Sequence, residues 1–506
     1  MVGYEWLQLQ NGADIRGVAA EGIIGESVTL TTDKVYALGQ GFVLWLWEQR
    51  GKHPLRISVG SDSRLTGPKF VETLEKSITS MGCDVLNCGL SSTPSMLLST
   101  KLPEVRADGA IMITGSHMPF NRNGMKFFAM GQEITTAQLT EIIELANTNY
   151  SKTEHTGSVH ITNLQAIYSS GLRRMIEESI PDAEDRNHPL SGLKIVVDAG
   201  NGAGSFYAQR VLRLLGADIS SSQFMNPDGR FPNHMPNPED YEAMRSVVNT
   251  VRMSGADMGI LFDSDVDRIA VVDSEGRRIN RNKLVAMASA IVLEEHPGTS
   301  IVTDSITSNG LSCFITDVLG GKHHRYQRGY RNVINEAKRL NSEGQPCWLA
   351  IETSGHAAFK ENSFYDDGAY FATKLVIKLA QLKRQGKTLF SLIERLPVAV
   401  ESYEHRLRIL DDDFSRVASE TMVSLRQFVS QIPGWEEVQQ NYEGLRVMCN
   451  NDYEKGWFII RQSLHDPVMP LNIESDVEGG TMAIIKKLKL FFRNVRTIDS
   501  SELFDQ

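Results

Sequence analysis

Cysteine is scarce in this chain. Five residues in 506 (Cys83, Cys88, Cys313, Cys347, Cys449) are odd in number and lack paired CxxC spacing. That excludes a disulfide scaffold and a thiolate zinc site, and leaves small buried residues of a reducing compartment. Excess positive charge is also absent. The formal net charge is −10, and phosphate backbones and anionic bilayers repel such a surface, so no nucleic-acid or membrane partner is expected. An anionic small molecule then needs a local cationic pocket built against the global field. No apolar run reaches the ~18 residues of a membrane span. The N-terminal stretch has no basic start followed by an apolar core, so a secretory leader is not expected. Low-complexity segments and short-period repeats are missing. A cytoplasmic protein is expected, or one of a plastid or other organelle if a transit peptide is missing from this sequence.

What is present reads as a large α/β protein. The composition, 41% hydrophobic and 23% charged, is that of a soluble globular chain. At roughly 100–200 residues per domain, it predicts three or four domains. Helical spacing over 34–50 is followed by a β run at 55–60, a helix over 70–81, a strand at 84–88 and a helix at about 136–148. Residues 149–160 read as a polar connector. A strong apolar stripe from Leu164 to Ile176 predicts a helix with Thr162 as its N-cap. A charged, Pro-flanked break at 182–189 is the first domain boundary. The strand Leu193–Asp198 then runs into the glycine-rich turn 199–204. Its spacing is not that of a dinucleotide fingerprint, so close strand–helix packing is the better reason for the glycines. Strand–helix alternation continues to Arg384, and a further unit starts at Pro397. The predicted domains are 1–185, 190–297, 298–396 and 397–506.

Four polar loops interrupt this framework. Ala110–Ile113 leads into Thr114–Pro119, and Asn123–Phe128 leaves it, so Ser116 lies on a strand-bounded loop beside His117 with Lys126 ten residues on. A hydroxyl so placed is held still and still reaches solvent, as a nucleophile or phosphoryl carrier requires; an ordinary loop serine fits the same pattern. Met258–Phe262 and Ile269–Val272 flank Asp263, Asp265 and Asp267. Three carboxylates at alternate positions repel one another unless a cation compensates them. In extended backbone they share one side, an all-oxygen site suited to Mg²⁺, with Arg268 available to an anion. The other reading is a solvated acidic turn. The strand 348–351 delivers Glu352, Ser354 and His356, which either bind sugar hydroxyls or stabilise their own loop. Arg461 and Ser463 end the strand 456–460 as a candidate phosphate clamp. Arg16 points a guanidinium at an anion or pairs locally with Asp14. The segment 322–331 is locally basic and suits an anionic ligand or a solvated face.

In this order the loops resemble those of the α-D-phosphohexomutases, the phosphoglucomutase/phosphomannomutase superfamily, from about residue 10 to the C-terminus. Thr114–Pro119 with Asn123–Lys126 is similar to its phosphoserine loop. Asp263–Arg268 is similar to its metal loop, D-G-D-x-D-R, with Ser264 in place of glycine. Glu352–His356 resembles its sugar loop, with Ile351 where glycine is usual. Arg461, Ser463 and Pro467 resemble its phosphate loop, from which Leu464, His465 and Asp466 depart. Arg16, the turn Ser61–Arg64 and Asn226–Pro232 also look like family features.

The resemblance implies three related α/β domains plus a smaller α+β C-terminal domain around a central cleft. It implies interconversion of hexose 1-phosphate and hexose 6-phosphate through phospho-Ser116 and a bisphosphorylated sugar. One Mg²⁺ per site would sit on Asp263, Asp265, Asp267 and the Ser116 oxygen, and hexose 1,6-bisphosphate would be the activator. Arg16 and Arg268 would stabilise phosphoryl charge, and Lys126 or His117 would exchange the proton of the attacking hydroxyl, with Lys126 favoured by analogy. Glu352, Ser354 and His356 would hold the sugar. Arg461, Ser463 and His465 would hold the distal phosphate. The substrate is a small sugar phosphate, probed first with glucose and mannose phosphates; amino sugars stay open, as does a monomer or dimer. The rival readings are a phosphoglucosamine-type mutase, a metal-dependent phosphatase and a weakly active sugar-phosphate-binding homologue.

Overall fold

The computed structural model describes residues 4–51, 54–148, 155–181, 183, 185–463 and 466–503. The chain divides into two compact units, one mainly 1–280 with 354–357 and 365–391, the other 281–353, 358–364 and 392–506.

The first unit opens with an eight-stranded sheet. Its order is Gln10–Asn11, Asp14–Val18, Arg122–Ala129, Gly109–Ile113, Arg56–Ser61, Asp84–Leu90 and Val159–Ile161, with Gln132–Glu133 beside Arg122–Ala129. The central strands are parallel, and Arg122–Ala129 returns antiparallel to Gly109–Ile113. Both faces are covered. Ile111 and Phe127 pack into one apolar layer with Phe42, Ile57 and Ile142, while Met112 and Phe128 pack into the other with Leu86 and Met96. A strand buried on both faces needs an unbroken apolar run rather than alternation, hence Gly109–Ile113. Helices Thr32–Arg50, Gly67–Ser80 and Thr136–Ala146 form at the expected places. Thr31 caps the first by accepting from Lys34 N–H, and Thr135 with Gln138 forms a reciprocal box on the third.

Three local expectations need correction. Residues 159–161, the end of the predicted connector, form a parallel edge strand on Asp84–Leu90; residues 149–154 lie outside the described residues. Helix Leu164–Ser179 is capped by Asn163, not Thr162. Thr162 N–H is engaged by Asn87 O at 2.8 Å, prolonging the edge pairing, so the next residue supplies the cap. The segment around Arg16 is not a turn but the strand Asp14–Val18, paired with Arg122–Ala129.

The second sheet of this unit runs Arg278–Ile279, Ile269–Asp273, Met258–Phe262, Ile195–Asp198. Helix Tyr241–Ser254 packs its buried Met244, Val247 and Val251 on it. Again a parallel strand is followed by an antiparallel return, Met258–Phe262 to Ile269–Asp273. Gly202 has a steric reason: a Cβ there would lie 2.6 Å from Ser264 Cα, so only glycine lets the 199–204 turn rest on the acidic loop.

The second unit contains the parallel strands Lys322–Tyr326, Ser300–Asp304 and Cys347–Ile351, with helix Tyr330–Ser342 burying Val333 and Ala337 on them. Its C-terminal part is an antiparallel sheet in the order Trp435–Glu437, Leu445–Cys449, Gly456–Ile460, Val468–Ser475, Glu401–Ile409, Ile498–Asp499. Helices Phe414–Val429 and Gly480–Phe492 supply Leu425, Ile484 and Leu488 to its core. The first three sheets thus carry parallel pairs and this one is wholly antiparallel, an α/β protein with a fourth domain of different fold.

Candidate active site

The side chains of interest follow the carboxyl ends of strands, where the chain leaves a sheet and backbone groups are released for loops and ligands. Asp62 and Arg64 follow Arg56–Ser61, Ser116 follows Gly109–Ile113, and Asp263 follows Met258–Phe262. The first unit brings these loops together.

Ser116 is buried, 6% exposed, with φ +48°. Left-handed backbone at a non-glycine residue costs about 1–3 kcal/mol, so surrounding bonds must enforce it. Ser116 N–H donates to Thr114 Oγ1 at 2.8 Å, and its carbonyl accepts from Ser264 Oγ at 2.7 Å and from the Arg64 guanidinium. Arg64 is the hub of this loop. Entirely buried, it also donates to the carbonyls of Met118, Pro119 and Arg122 at 2.7–2.8 Å and pairs with Asp62 at 3.2 Å. The 226–232 segment covers this hub: Phe231 lies 5.0 Å from the guanidinium, and a Cβ on Gly229 would meet Arg64 Cα at 2.5 Å.

The Ser116 hydroxyl lies 3.2 Å from Asp263 Oδ2, 3.3 Å from Arg268 Nη2 and 3.3 Å from His117 Nδ1. Arg268 also bonds Asp263 through its backbone N–H and Nε, at 3.2 and 3.1 Å. Arg16 both donates to Thr114 O at 2.7 Å and pairs with Asp14 at 2.9 Å, so the local pair and the serine-loop contact coexist. Lys126, 2% exposed, pairs with Asp267 at 2.6 Å and Asp265 at 3.5 Å. The guanidinium of Arg268 chiefly, then desolvation and Arg16, holds His117 well below its ordinary pKa.

Asp263, Asp265 and Asp267 place carboxylate oxygens within 4.8 Å of one another, all but excluded from solvent. The loop is not the extended strand that alternation suggests. It turns, with Val266 at φ +67°, and the turn rather than a pleat makes the three converge. Asp265 Oδ1 and Asp267 Oδ1 are buried and have no hydrogen-bond donor among the described residues. Burial first, then the charges of Asp267 and Asp265, pushes Asp263 well above the ordinary carboxylate range. Burial opposes ionisation of Asp267 as well, but Lys126, His356 and Arg268 outweigh it and hold that carboxyl low. Buried donorless carboxylate oxygens in an all-oxygen pocket fit a hard dication that keeps open positions for other oxygens.

Two further residues complete this cluster. Thr93 donates to Asp265 Oδ2 at 2.6 Å while its N–H reaches Asp265 O at 2.9 Å. Asp366 accepts from His356 Nδ1 at 2.5 Å, and that nitrogen is 3.9 Å from Asp267 Oδ1. Neither residue is found by sequence reasoning: Thr93 belongs to none of the four loops, and Asp366 reads with Asp367 and Gly368 as the opening of the next helix. An acidic pair with no nearby cation in sequence was the available signal for Asp366.

In the second unit, Glu352 accepts from Gly329 N–H at 2.6 Å. Arg461 Nε is buried without a hydrogen-bond partner among the described residues, and burial, then the charge of Arg328, lowers its pKa. Ser463 Oγ accepts from Asp466 N–H at 3.2 Å. Leu464 and His465 lie outside the described residues. Part of the basic 322–331 stretch serves the fold, since Arg325 donates to Thr307 O and Ser308 O. Ser354 is buried in the first unit.

Comparison with known proteins agrees with this arrangement. Residues 7–153, 174–276 and 280–399 match the phosphoglucomutase/phosphomannomutase alpha/beta/alpha domains I, II and III. A phosphomannomutase/phosphoglucomutase of Pseudomonas syringae pv. tomato is 30% identical over 468 residues, covering 92% of this chain and 91% of that one. One from Pseudomonas aeruginosa is 28% identical over 491 residues, covering 96% and 95%. The crystal structure of a phosphoglucomutase/phosphomannomutase family protein from Burkholderia thailandensis matches with a TM-score of 0.76 at 27% identity, over 99% of this chain and 100% of that one. By these three domain matches and the 30% identity over nine-tenths of both chains, the chain belongs to the phosphoglucomutase/phosphomannomutase family of hexose phosphate mutases.

Proposed function

We propose that this mutase interconverts hexose 1-phosphate and hexose 6-phosphate through phospho-Ser116 and a hexose 1,6-bisphosphate, with glucose and mannose phosphates as the first substrates to test. The observation that carries this reading is the Ser116 hydroxyl, 3.2 Å from Asp263 and 3.3 Å from Arg268 on a braced loop. In the forward half, the bond from Ser116 Oγ to phosphorus breaks as the sugar's free hydroxyl oxygen bonds to phosphorus. The hydroxyl proton passes to Lys126 in its neutral form, or to His117, and that group hands it on to the departing Ser116 Oγ, which is left as the alcohol. The bisphosphate reorients, its other phosphoryl returns to Ser116 Oγ, and the proton goes back to the product oxygen. Arg268 and Arg16 oppose the charge that spreads over the phosphoryl oxygens, where fixed electrostatics supply most of the catalysis.

Asp263, Asp265 and Asp267, with the Ser116 phosphoryl, would hold one Mg²⁺, whose chemistry when bound is charge neutralisation of the phosphoryl group. Glu352, Ser354 and His356 are proposed for the sugar hydroxyls, and Arg461, Ser463 and His465 for the distal phosphate. The four domains 1–185, 190–297, 298–396 and 397–506 belong to the same proposal. No helix among the described residues is long and apolar enough to cross a membrane, and none of the five cysteines is paired, which supports a reducing compartment, cytoplasm or plastid.

Purified protein is incubated with glucose 1-phosphate, Mg²⁺ and a trace of glucose 1,6-bisphosphate. Glucose 6-phosphate is expected as product. Free phosphate alone would instead make it a phosphatase. A panel of glucose, mannose, glucosamine and N-acetylglucosamine 1-phosphates, ranked by kcat/KM, then assigns the sugar.

A further inference from the structure

Ser264 stands where the family loop usually has glycine, and the hydroxyl it adds is at the centre of the site. Ser264 is fully buried. Its Oγ lies 2.9 Å from Asp62 Oδ2 and 2.7 Å from Ser116 O, so its single proton is offered to both acceptors. Asp62 is likewise buried, and the same Oδ2 accepts from Thr114 Oγ1 at 2.8 Å and from Arg64 Nε at 3.2 Å. Asp62 therefore gathers the side chains that brace the serine loop. Among the described residues, it is the Ser264 hydroxyl that bonds the acidic loop to that carboxylate. On its other side Ser264 is pinned by the glycine-rich turn, with Ala203 N–H donating to Ser264 O at 2.8 Å and Gly202 packed against its Cα.

We propose that Ser264 is a positioning residue that locks the phosphoryl-carrying loop to the acidic loop. It rests on the phosphoserine reading above. The geometry supplies the reason. Ser116 occupies an unfavourable left-handed conformation, and anchoring its N–H and its carbonyl holds the backbone from which Cβ and Oγ extend. Of the two donors to that carbonyl, Arg64 belongs to the serine domain's own framework. Ser264 is the neighbour of Asp263, whose carboxylate must meet the Ser116 oxygen. The hydroxyl thus fixes the spacing of two groups that come from different sheets. A glycine at 264 removes the bond from the acidic loop to the Ser116 backbone and leaves the spacing to packing and to the contacts of the Ser116 hydroxyl with Asp263 and Arg268. Displacement of a reacting group by a fraction of an ångström slows transfer strongly, because proximity effects fall off steeply with geometry. On this reading the phosphoryl group is carried by Ser116 Oγ, while the Ser264 hydroxyl faces Asp62 and the Ser116 carbonyl, so substrate affinity is not engaged.

The test compares wild type, S264A and S264G as full-length proteins. Turnover is measured on glucose 1-phosphate with Mg²⁺ and glucose 1,6-bisphosphate, well below the lowest melting temperature of the set. In parallel, ³²P-glucose 1,6-bisphosphate labels the enzymes, and loss of label to sugar and to water is timed. Expected is a kcat lower by about tenfold, as for loss of one hydrogen bond of roughly 1.4 kcal/mol in the transition state. KM should stay within about twofold, because ground-state binding is not engaged. Label should pass to glucose 1-phosphate more slowly, with a larger share lost to water. Equal kcat and equal label transfer in all three proteins overturn the inference. So does a rise in KM at unchanged kcat. If neither variant folds, S264C, which keeps the side-chain size with a far weaker donor, takes their place, and a kcat and label transfer equal to wild type overturn the inference. Wild type that takes no label on Ser116 overturns the phosphoserine reading, and this inference with it; normal labelling beside equally fast variants overturns the inference alone.

Discussion

Replacing Thr93 with valine isolates one bond of the acidic site. The side chains have nearly the same shape, so T93V removes the hydroxyl donated to Asp265 Oδ2 at 2.6 Å and leaves the Thr93 N–H bond to Asp265 O. Thr93 and Asp265 are buried, at 2% and 0% exposure, so water does not replace the lost donor. Asp265 Oδ1 already has no donor among the described residues. The variant therefore leaves a buried carboxylate without its short hydrogen bond, with the Lys126 ammonium still 3.5 Å from Oδ2. A hydrogen bond to a charged group contributes about 1.5–3 kcal/mol, and that is the expected loss of stability without divalent ions. An orienting partner of a metal ligand independently contributes about 10–100-fold in affinity, or roughly 1.4–2.8 kcal/mol, so the same bond seen from the ion gives a similar size. Urea unfolding, followed with and without saturating Mg²⁺, measures the first quantity, and titration calorimetry of Mg²⁺ measures the second. Bound Mg²⁺ supplies charge to Asp265, so the stability deficit should shrink when the ion is present. A change below about 0.5 kcal/mol in both media, the size of an ordinary surface substitution, would refute the view that Asp265 is held by Thr93 for an ion.

Other outcomes can be checked alongside. S116A should take up no label from ³²P-glucose 1,6-bisphosphate and lose turnover by at least about 10³-fold, since the covalent step has no other carrier; labelled S116A would move the carrier elsewhere. R64M takes the balancing charge from buried Asp62, which keeps the Thr114 and Ser264 hydroxyls, and removes the side-chain donor to the carbonyls of Met118, Pro119 and Arg122, and urea unfolding should show a loss of about 3–5 kcal/mol. Glu474 is pushed up from 4.5 to about 7, by burial first, against the hydrogen bond from Trp457 Nε1 at 3.0 Å and the charge of Arg446. An acid raised in the folded state keeps its full contribution to stability below the unfolded pKa and loses it as pH rises through the folded one. The C-terminal domain, followed by tryptophan fluorescence, should therefore be less stable at pH 8 than at pH 4.5 on this account. E474Q should remove that dependence, gaining up to about 3 kcal/mol at pH 8; parallel pH profiles for the two proteins would rule Glu474 out as its source.

Elements are legible in this chain where local chemistry decides them. The apolar stripes of 34–50 and 164–176 and the runs 110–113 and 258–262 become helices and strands within three residues of their pattern. The loops are legible as motifs because phosphoryl chemistry needs a hydroxyl, carboxylates and guanidinium groups at strand ends. What fails is geometry inside the loops. Alternation of Asp263, Asp265 and Asp267 suggests an extended backbone, whereas a left-handed turn at Val266 gathers them. Thr162 looks like a cap, but its N–H is taken by the neighbouring strand.

The sequence by itself therefore determined the α/β class, because periodicity acts over a few residues, and its loop motifs pointed to the family and to candidate reactive side chains. Only the tertiary structure decided which of them meet. Thr93 and Asp265 are 172 positions apart, Lys126 and Asp267 are 141, and Ser264 and Asp62 are 202. Pairings at such separations are set by how sheets stack and strand ends align, and by the need to satisfy every buried polar group, which no local pattern records.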